Sequence, residues 1–305
     1  MERAIETNAL TKSYGDVVAL DSLSITVDAG EVFGFLGPNG AGKTTTIDIL
    51  LDFIRPTSGS ASIMGYDTQC ETGAVRERVG VLPDGFDLWG RSSGYSHLEF
   101  ARRSKGADDD PDELLERVGL DPEDAERPVS NYSKGMYQRL GMAMALVGDP
   151  EVLILDEPST GLDPHGIRTM QDIVREEAAG GTTVFFSSHL LEQVEAVCDR
   201  VAILKDGALL TVDSIGGLRE TAGLGSQLVV EVTDVPEIDL TTIDGVTAVT
   251  TEAGRLRVTY TDPTAKETVI TRLSSAGAGV RDFTTDEPSL EDLFTAYTEP
   301  TTVEV

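Results

Sequence analysis

The chain has 305 residues, enough for a large buried core and about two domains. Lysine and arginine number 24 against 53 aspartates and glutamates, a formal net charge of −29, which argues against nucleic acid as a partner. No run of about twenty apolar residues occurs, so no segment reads as a membrane-spanning helix. In chain order, residues 3 to 35 alternate short strand patterns with turns such as Val27-Asp28-Ala29-Gly30, which predicts an antiparallel β element. A helix pattern over 44–51 stops before the breaker Arg55-Pro56-Thr57-Ser58-Gly59. Residues 94–148 read as helices, broken near Asp108 to Pro111 and again at Arg127-Pro128. From Glu151 strands and helices alternate, which predicts a parallel sheet, with a strand at 182–186 and a pair at 201–204 and 208–212. After Gly225-Ser226 the character changes. Residues 227–232 and 256–260 alternate as strands, 265–276 is an amphipathic helix, and Leu290, Leu293, Phe294 and Tyr297 have helical spacing.

Chemistry first enters at Gly37-Pro38-Asn39-Gly40-Ala41-Gly42-Lys43-Thr44-Thr45. Gly37, Gly42, Lys43 and Thr44 fit the phosphate-binding pattern G-x-x-x-x-G-K-[ST], between a strand-like run at 32–36 and the helix pattern. Glycines let the loop curl so that its N–H groups face a phosphate, and the helix N-terminus adds partial positive charge. Lys43 is expected to reach the β- and γ-phosphates and Thr44 to ligate Mg²⁺. A second element, Val152-Leu153-Ile154-Leu155-Asp156-Glu157-Pro158, reads as a buried parallel strand delivering two acids at its C-terminal end. Asp156 is placed as a Mg²⁺ partner and Glu157 to polarise an attacking water. A third, Asn131-Tyr132-Ser133-Lys134-Gly135-Met136, opens a helix capped by Ser133, and a capped helix start is a good anion site.

With these motifs in this order, the chain resembles the nucleotide-binding subunits of ATP-binding cassette (ABC) transporters, over roughly residues 5–213. Ser159-Thr160-Gly161-Leu162-Asp163 matches the D-loop, His189 in Ser187-Ser188-His189-Leu190 the switch histidine, and Tyr14 the aromatic that stacks on adenine. The resemblance implies an α/β P-loop ABC-ATPase fold with an antiparallel β subdomain, a helical subdomain over about 84–148 and a small α+β C-terminal domain. The domains are expected at 3–222 and 226–305. It further implies ATP and Mg²⁺ as ligands, and two ATP molecules sandwiched in a head-to-tail homodimer. Lys43 and Glu157 then act in cis, and Ser133 and Gly135 in trans. A separate integral membrane permease is the implied partner, and the subunit is expected in the cytoplasm, peripheral on the inner face of the membrane.

Two motifs depart from the family pattern. Lys134 and Met136 replace a glycine and a glutamine of the signature, and Asp84 follows Val79-Gly80-Val81-Leu82-Pro83 where the family carries glutamine. Lys134 either adds charge near a partner's γ-phosphate or points to solvent, the second being expected. Asp84 can accept or ligate through water but is shorter than glutamine. His97 and His165 are expected on the surface, and Cys70 and Cys198 as packing residues of a reducing compartment. The acidic, lysine-poor composition reads as adaptation to a salt-rich cytoplasm. The leading expectation is the ATPase of an exporter of the drug, lipid or polysaccharide type. The alternatives are a soluble ABC ATPase switch acting in translation or DNA maintenance, and a regulatory binding subunit with weak hydrolysis.

Overall fold

The computed structural model describes residues 2–298, apart from 223, 237, 253 and 254. The chain divides into two compact units, Met1–Ser214 and Ile215–Val305.

The first unit opens with β1 (Arg3–Tyr14), β2 (Val17–Leu23) and β3 (Thr26–Asp28), followed by β4 (Val32–Leu36) and α1 (Lys43–Leu50). Then come β5 (Ser58–Ile63), β6 (Tyr66–Asp67), α2 (Thr72–Arg78) and β7 (Val79–Leu82). The helices α3 (Gly94–Lys105), α4 (Pro111–Arg117), α5 (Pro122–Ala125) and α6 (Lys134–Leu146) come next. The unit ends with β8 (Val152–Asp156), α7 (Pro164–Gly180), β9 (Thr183–Ser187), α8 (Leu191–Val197), β10 (Arg200–Lys205) and β11 (Ala208–Ser214). An antiparallel sheet runs β2-β1-β5-β6, with β3 also on β1. A second sheet runs β11-β10-β4-β9-β8-β7 and is parallel from β10 to β7.

The parallel strands are apolar because helices leave neither face to water. All five residues of β4, β8 and β9 are buried. Phe35 and Phe185 on adjacent strands pack with ring centroids 5.0 Å apart, in a core shared with Ile5, Ile47, Ile63 and Ile154. Parallel register brings the strand ends level: Leu82 pairs with Leu155, Asp156 with Ser187, and Phe35 with Ser187. The segments that follow these strands therefore share one edge, where open α/β sheets place ligands.

The helical segments stop and start where side chains cap them. Ser93 accepts from Ser96 N–H at α3, Asp110 precedes Pro111 at α4, and Ser133 accepts from Met136 N–H at 3.2 Å at α6. His97 corrects its expected surface position. It is buried, because Trp89 stacks on its ring with centroids 5.4 Å apart. Cys198 packs inside as expected, whereas Cys70 is exposed on the turn before α2.

The second unit contains α9 (Ile215–Ala222), β12 (Ser226–Val232), β13 (Val246–Glu252), β14 (Arg255–Tyr260), α10 (Pro263–Ser275), β15 (Val280–Asp286) and α11 (Leu290–Thr298). Its antiparallel sheet has the order β13-β14-β12-β15. Alternate residues Leu228, Val230, Leu256 and Val258 point to a core closed by Ala265, Val269 and Leu273 of α10. The division read from sequence placed residues 215–222 with the first domain. In the structure α9 packs on α11, and Arg219 Nε donates to the Pro288 carbonyl at 2.9 Å.

The contact between β7 and α6 gives a stability test. A Cβ at Gly80 would stand 2.0 Å from the Ala145 carbonyl oxygen, a backbone atom that cannot rotate away. Gly80→Ala should destabilise by about 3 kcal/mol or more. In a thermal melt that lowers the midpoint by roughly 5–10 °C. Gly73→Ala, in the open on α2, should leave the midpoint unchanged or slightly raised.

Candidate active site

The loop between β4 and α1 curls because two of its residues take conformations that side chains disfavour. Gly40 has φ 84° and Gly42 φ 105°, and the Gly42 position is pressed against Leu20 and the Ala19 carbonyl. Gly42 is the N-cap of α1 and no side chain occupies that end, so the first-turn N–H groups remain open to an anion. Lys43 is buried, and its Nζ donates to the Gly37 carbonyl at 2.7 Å. An ammonium has three N–H bonds, so this anchor aims the group and leaves donors for phosphate oxygens.

A cleft of about 470 Å³ opens here. It gathers Asn39, Gly40, Gly42, Lys43, Thr44 and Thr45 from the loop with Asp84, Asp156, Glu157 and His189 from the strand ends. Glu157 follows β8 in the left-handed region, with φ 50°, a conformation rare for a residue with a side chain. Its N–H donates to the Ser187 carbonyl at 2.9 Å, and its carbonyl accepts from Thr160 N–H at 3.1 Å. The backbone is thereby fixed on both sides and the carboxylate turned into the cleft. His189 Nδ1 lies 2.7 Å from Glu157 Oε2, so the Nδ1–H tautomer donates to the carboxylate and leaves Nε2 free.

Asp156 is almost fully buried beneath these groups. Burial pushes its carboxyl above the usual 3.8; its register partner Ser187 pulls it down, Asp84 and Glu157 push it up, and Lys43 pulls it down. Three carboxylates thus face one ammonium in a cleft whose loop is built for phosphate. A polyphosphate here meets like charge unless a divalent cation lies between. The Thr44 hydroxyl with the Asp156 and Asp84 carboxylates is an all-oxygen donor set that fits Mg²⁺. Among the described residues no group of three or more His, Cys, Asp or Glu side chains could hold a metal ion, so an ion bound here would draw the rest of its shell from phosphate oxygens and water.

Other residues singled out in the sequence lie elsewhere. Tyr14 ends β1, exposed, opposite Val17 and outside the cleft lining, with Lys12 Nζ 4.9 Å from its ring centre. Ser133, exposed, lines an adjoining cleft with Lys134, Phe86 and Tyr137 that shares Asp84 and Thr160 with the first, and Gly135 sits against the Gly161 carbonyl. Lys134 is exposed, as is His165. Gly37, Pro38 and Ala41 shape the loop from behind; Ala41 N–H donates to the Pro38 carbonyl at 3.0 Å. Ala19 and Thr160 also line the nucleotide cleft, unassigned by sequence reasoning. Thr160 falls inside the D-loop motif and could have been found there; Ala19 carries no signal.

Comparison with known proteins agrees with this geometry. Residues 20–160 match the family model described as ABC transporter, and 217–298 the one described as ATP-binding protein DrrA1-3-like, C-terminal domain. The daunorubicin resistance ATP-binding protein DrrA3 of Streptomyces coeruleorubidus is 36% identical over 96% of this chain and 95% of its own. The daunorubicin/doxorubicin resistance ATP-binding protein DrrA of Streptomyces peucetius is 33% identical, over 97% and 92%. A solved ATP-binding subunit of an ABC transporter superposes with a TM-score of 0.68 at 28% identity, covering 72% of this chain and 93% of that one. The chain therefore belongs to the family of ABC transporter ATP-binding subunits, whose ATP-binding domains are ATPases. Its second unit is a DrrA-like C-terminal domain.

The buried Asp156 predicts a pH-dependent cost. A folded-state pKa above 3.8 means the folded chain holds this proton more tightly than the unfolded one. Stability from this group is full below 3.8 and is lost as pH rises through the raised value. Asp156→Asn, assayed without nucleotide or Mg²⁺, should therefore melt higher than wild type at pH 7, with the gain vanishing near pH 4. A variant that melts lower at pH 7 would show that the ionised carboxylate stabilises the fold.

Proposed function

We propose that this chain is the ATP-hydrolysing subunit that powers a separate integral membrane permease, in an exporter of the drug-resistance type. The observation that carries the reading is Glu157, set in a left-handed turn beside the phosphate loop and held by His189 at 2.7 Å. Loop N–H groups and Lys43 bind the phosphates, with Thr44 at the start of α1. Thr44 and Asp156 would hold Mg²⁺, with Asp84 reaching it through water. Bound there, the ion neutralises charge on the β- and γ-phosphate oxygens. Glu157 orients a water and takes its proton as the water oxygen bonds to the γ-phosphorus and the β–γ bridging oxygen leaves. His189 keeps Glu157 in register through Nδ1–H, and Nε2, when it too carries a proton, would donate to the γ-phosphate.

Ser133 and Gly135 stand outside their own chain's nucleotide cleft, which supports their acting on the ATP of a second copy. The Ser133 oxygen accepts from Met136 N–H, so its hydroxyl proton is free to donate outward. ATP would then hold a head-to-tail homodimer together until hydrolysis releases it. Among the described residues no helix is long and apolar enough to cross a membrane, so transport needs another chain. We place the subunit in the cytoplasm against the inner face of the membrane. The relatives reported above carry drug-resistance names, which favours an exporter over the soluble-switch alternative. The net charge of −29 suits a salt-rich cytoplasm, where self-repulsion is screened.

Glu157→Gln should lower turnover by about 10²-fold or more and accumulate an ATP-bound dimer on size-exclusion chromatography. Unchanged turnover would remove Glu157 from the role of base. Raising KCl from about 0.1 M to about 1 M shortens the screening length from ~10 Å to ~3 Å. The melting temperature should then rise, and an unchanged or lower value would refute the salt-adapted reading.

A further inference from the structure

Residues 83–89 leave β7, pass Asp84 in the nucleotide cleft, and arrive at the helices that carry Ser133. Their course is held by side chains from those helices. Tyr137 stands one turn after Ser133 on α6. Its hydroxyl accepts from Leu88 N–H and donates to the Phe86 carbonyl at 3.1 Å, and its ring packs on Phe86 with centroids 5.0 Å apart. From α3, His97 Nε2 accepts from Trp89 N–H at 3.0 Å while Nδ1 donates to the Ser93 carbonyl at 2.8 Å. The next two residues of α6 reach the other loop of the site. Gln138 Nε2 donates to the Pro158 carbonyl at 3.0 Å, and Arg139 pairs with Asp163 at 3.1 Å. One helix thus grips the segments that follow both Asp84 and Glu157.

We propose that Tyr137 is a positioning residue for the reaction. By bridging Phe86 and Leu88 its hydroxyl fixes the loop carrying Asp84 to the helix carrying Ser133, so the two move as one piece. The proposal rests on the ATPase reading above. The physical reason is local. Removing the hydroxyl leaves a part-buried N–H and C=O without their partner, and each then turns toward water. Only Gly85 separates Asp84 from Phe86, the first bonded residue, so a turn of the Phe86 carbonyl is passed on to Asp84. The ring contact with Phe86 survives in a phenylalanine, so the substitution isolates the bridge.

The chain carries its own reporter, because its one tryptophan, Trp89, follows Leu88 directly. The test compares wild type, Tyr137→Phe and Tyr95→Phe by Trp89 fluorescence on adding Mg²⁺ and ATP, by calorimetric ATP binding and by steady-state kinetics. Tyr95→Phe deletes a hydroxyl that bonds from α3 to Asp112 on α4, and serves as the control. In wild type and the control, Trp89 emission should change on ligand addition. In Tyr137→Phe most of that change should be lost, with ATP affinity and KM within about threefold of wild type and kcat lower by roughly tenfold. Amide exchange in wild type gives a measurement that needs no variant: Leu88 N–H should be protected more than about tenfold over an open peptide. Wild-type fluorescence response and kcat in Tyr137→Phe, or an unprotected Leu88 amide, overturn the proposal. A wild-type protein lacking Mg²⁺-dependent hydrolysis overturns the ATPase reading, and this inference with it.

Discussion

The site depends on one constraint: residues at the ends of buried parallel strands must leave the sheet through backbone turns that side chains resist. A phosphate loop works only if its N–H groups converge, which demands left-handed residues at Gly40 and Gly42. Glycine supplies that without strain. At the end of β8 the same demand falls on Glu157, which has a side chain and takes φ 50° nonetheless. An αL conformation in such a residue costs about 1–3 kcal/mol and persists only where its surroundings over-determine it. The surroundings do so here: the Ser187 and Thr160 hydrogen bonds fix the peptide groups, and His189 fixes the carboxylate. The sheet core of Phe33, Phe35 and Phe185 is what makes that framework stiff.

Charge is the second constraint. Asp156 is buried where ionisation is costly, next to two further acids and one lysine. Packing alone would favour an apolar residue there, so the carboxylate is better understood as a ligand waiting for a counter-charge than as part of the core. On the proposed reading, a divalent cation between them would reconcile the loop that binds phosphate with the acids that repel it. Neither half of the cleft makes chemical sense without the other.

Much of this was legible in the sequence where one residue type does one job at a fixed spacing. Lys43 and Thr44, the acids after Val152-Leu153-Ile154-Leu155, and the cap at Ser133 belong to that kind. His189 was legible only through the family resemblance, as a switch histidine. It stands 32 residues from Glu157, and the contact exists because β8 and β9 are parallel neighbours in register. Strands with weak alternation escaped. β5, Ser-Gly-Ser-Ala-Ser-Ile, is made of small residues, and β15 exposes most of its side chains, so neither carries a period-two signal. His97 reads as an ordinary helix-face residue, since its partner is a backbone N–H eight positions earlier on a loop with no regular structure. Thr160 reached the cleft through the turn after Glu157, and Ala19 through the fold of the antiparallel sheet beside the loop.

On the proposed reading, the placement of α6 makes a lone chain half of two sites. Its N-terminus carries Ser133, exposed and outside the lining of the P-loop cleft, while its next turn, through Tyr137, Gln138 and Arg139, is tied to the loops after Asp84 and Glu157. Ligand forces felt at either strand end therefore reach the helix whose tip would meet a second copy's nucleotide. The Tyr137 and Gln138 hydrogen bonds, between buried or part-buried groups, transmit displacement because breaking one strands a donor or an acceptor, whereas shifting the helix strands none. On the proposed reading, a subunit that senses its own γ-phosphate through Asp84 and Glu157 repositions Ser133, and with it the site of its partner. The mechanical link between two ATP sites is then a property of one helix and the three side chains that follow its cap by one turn.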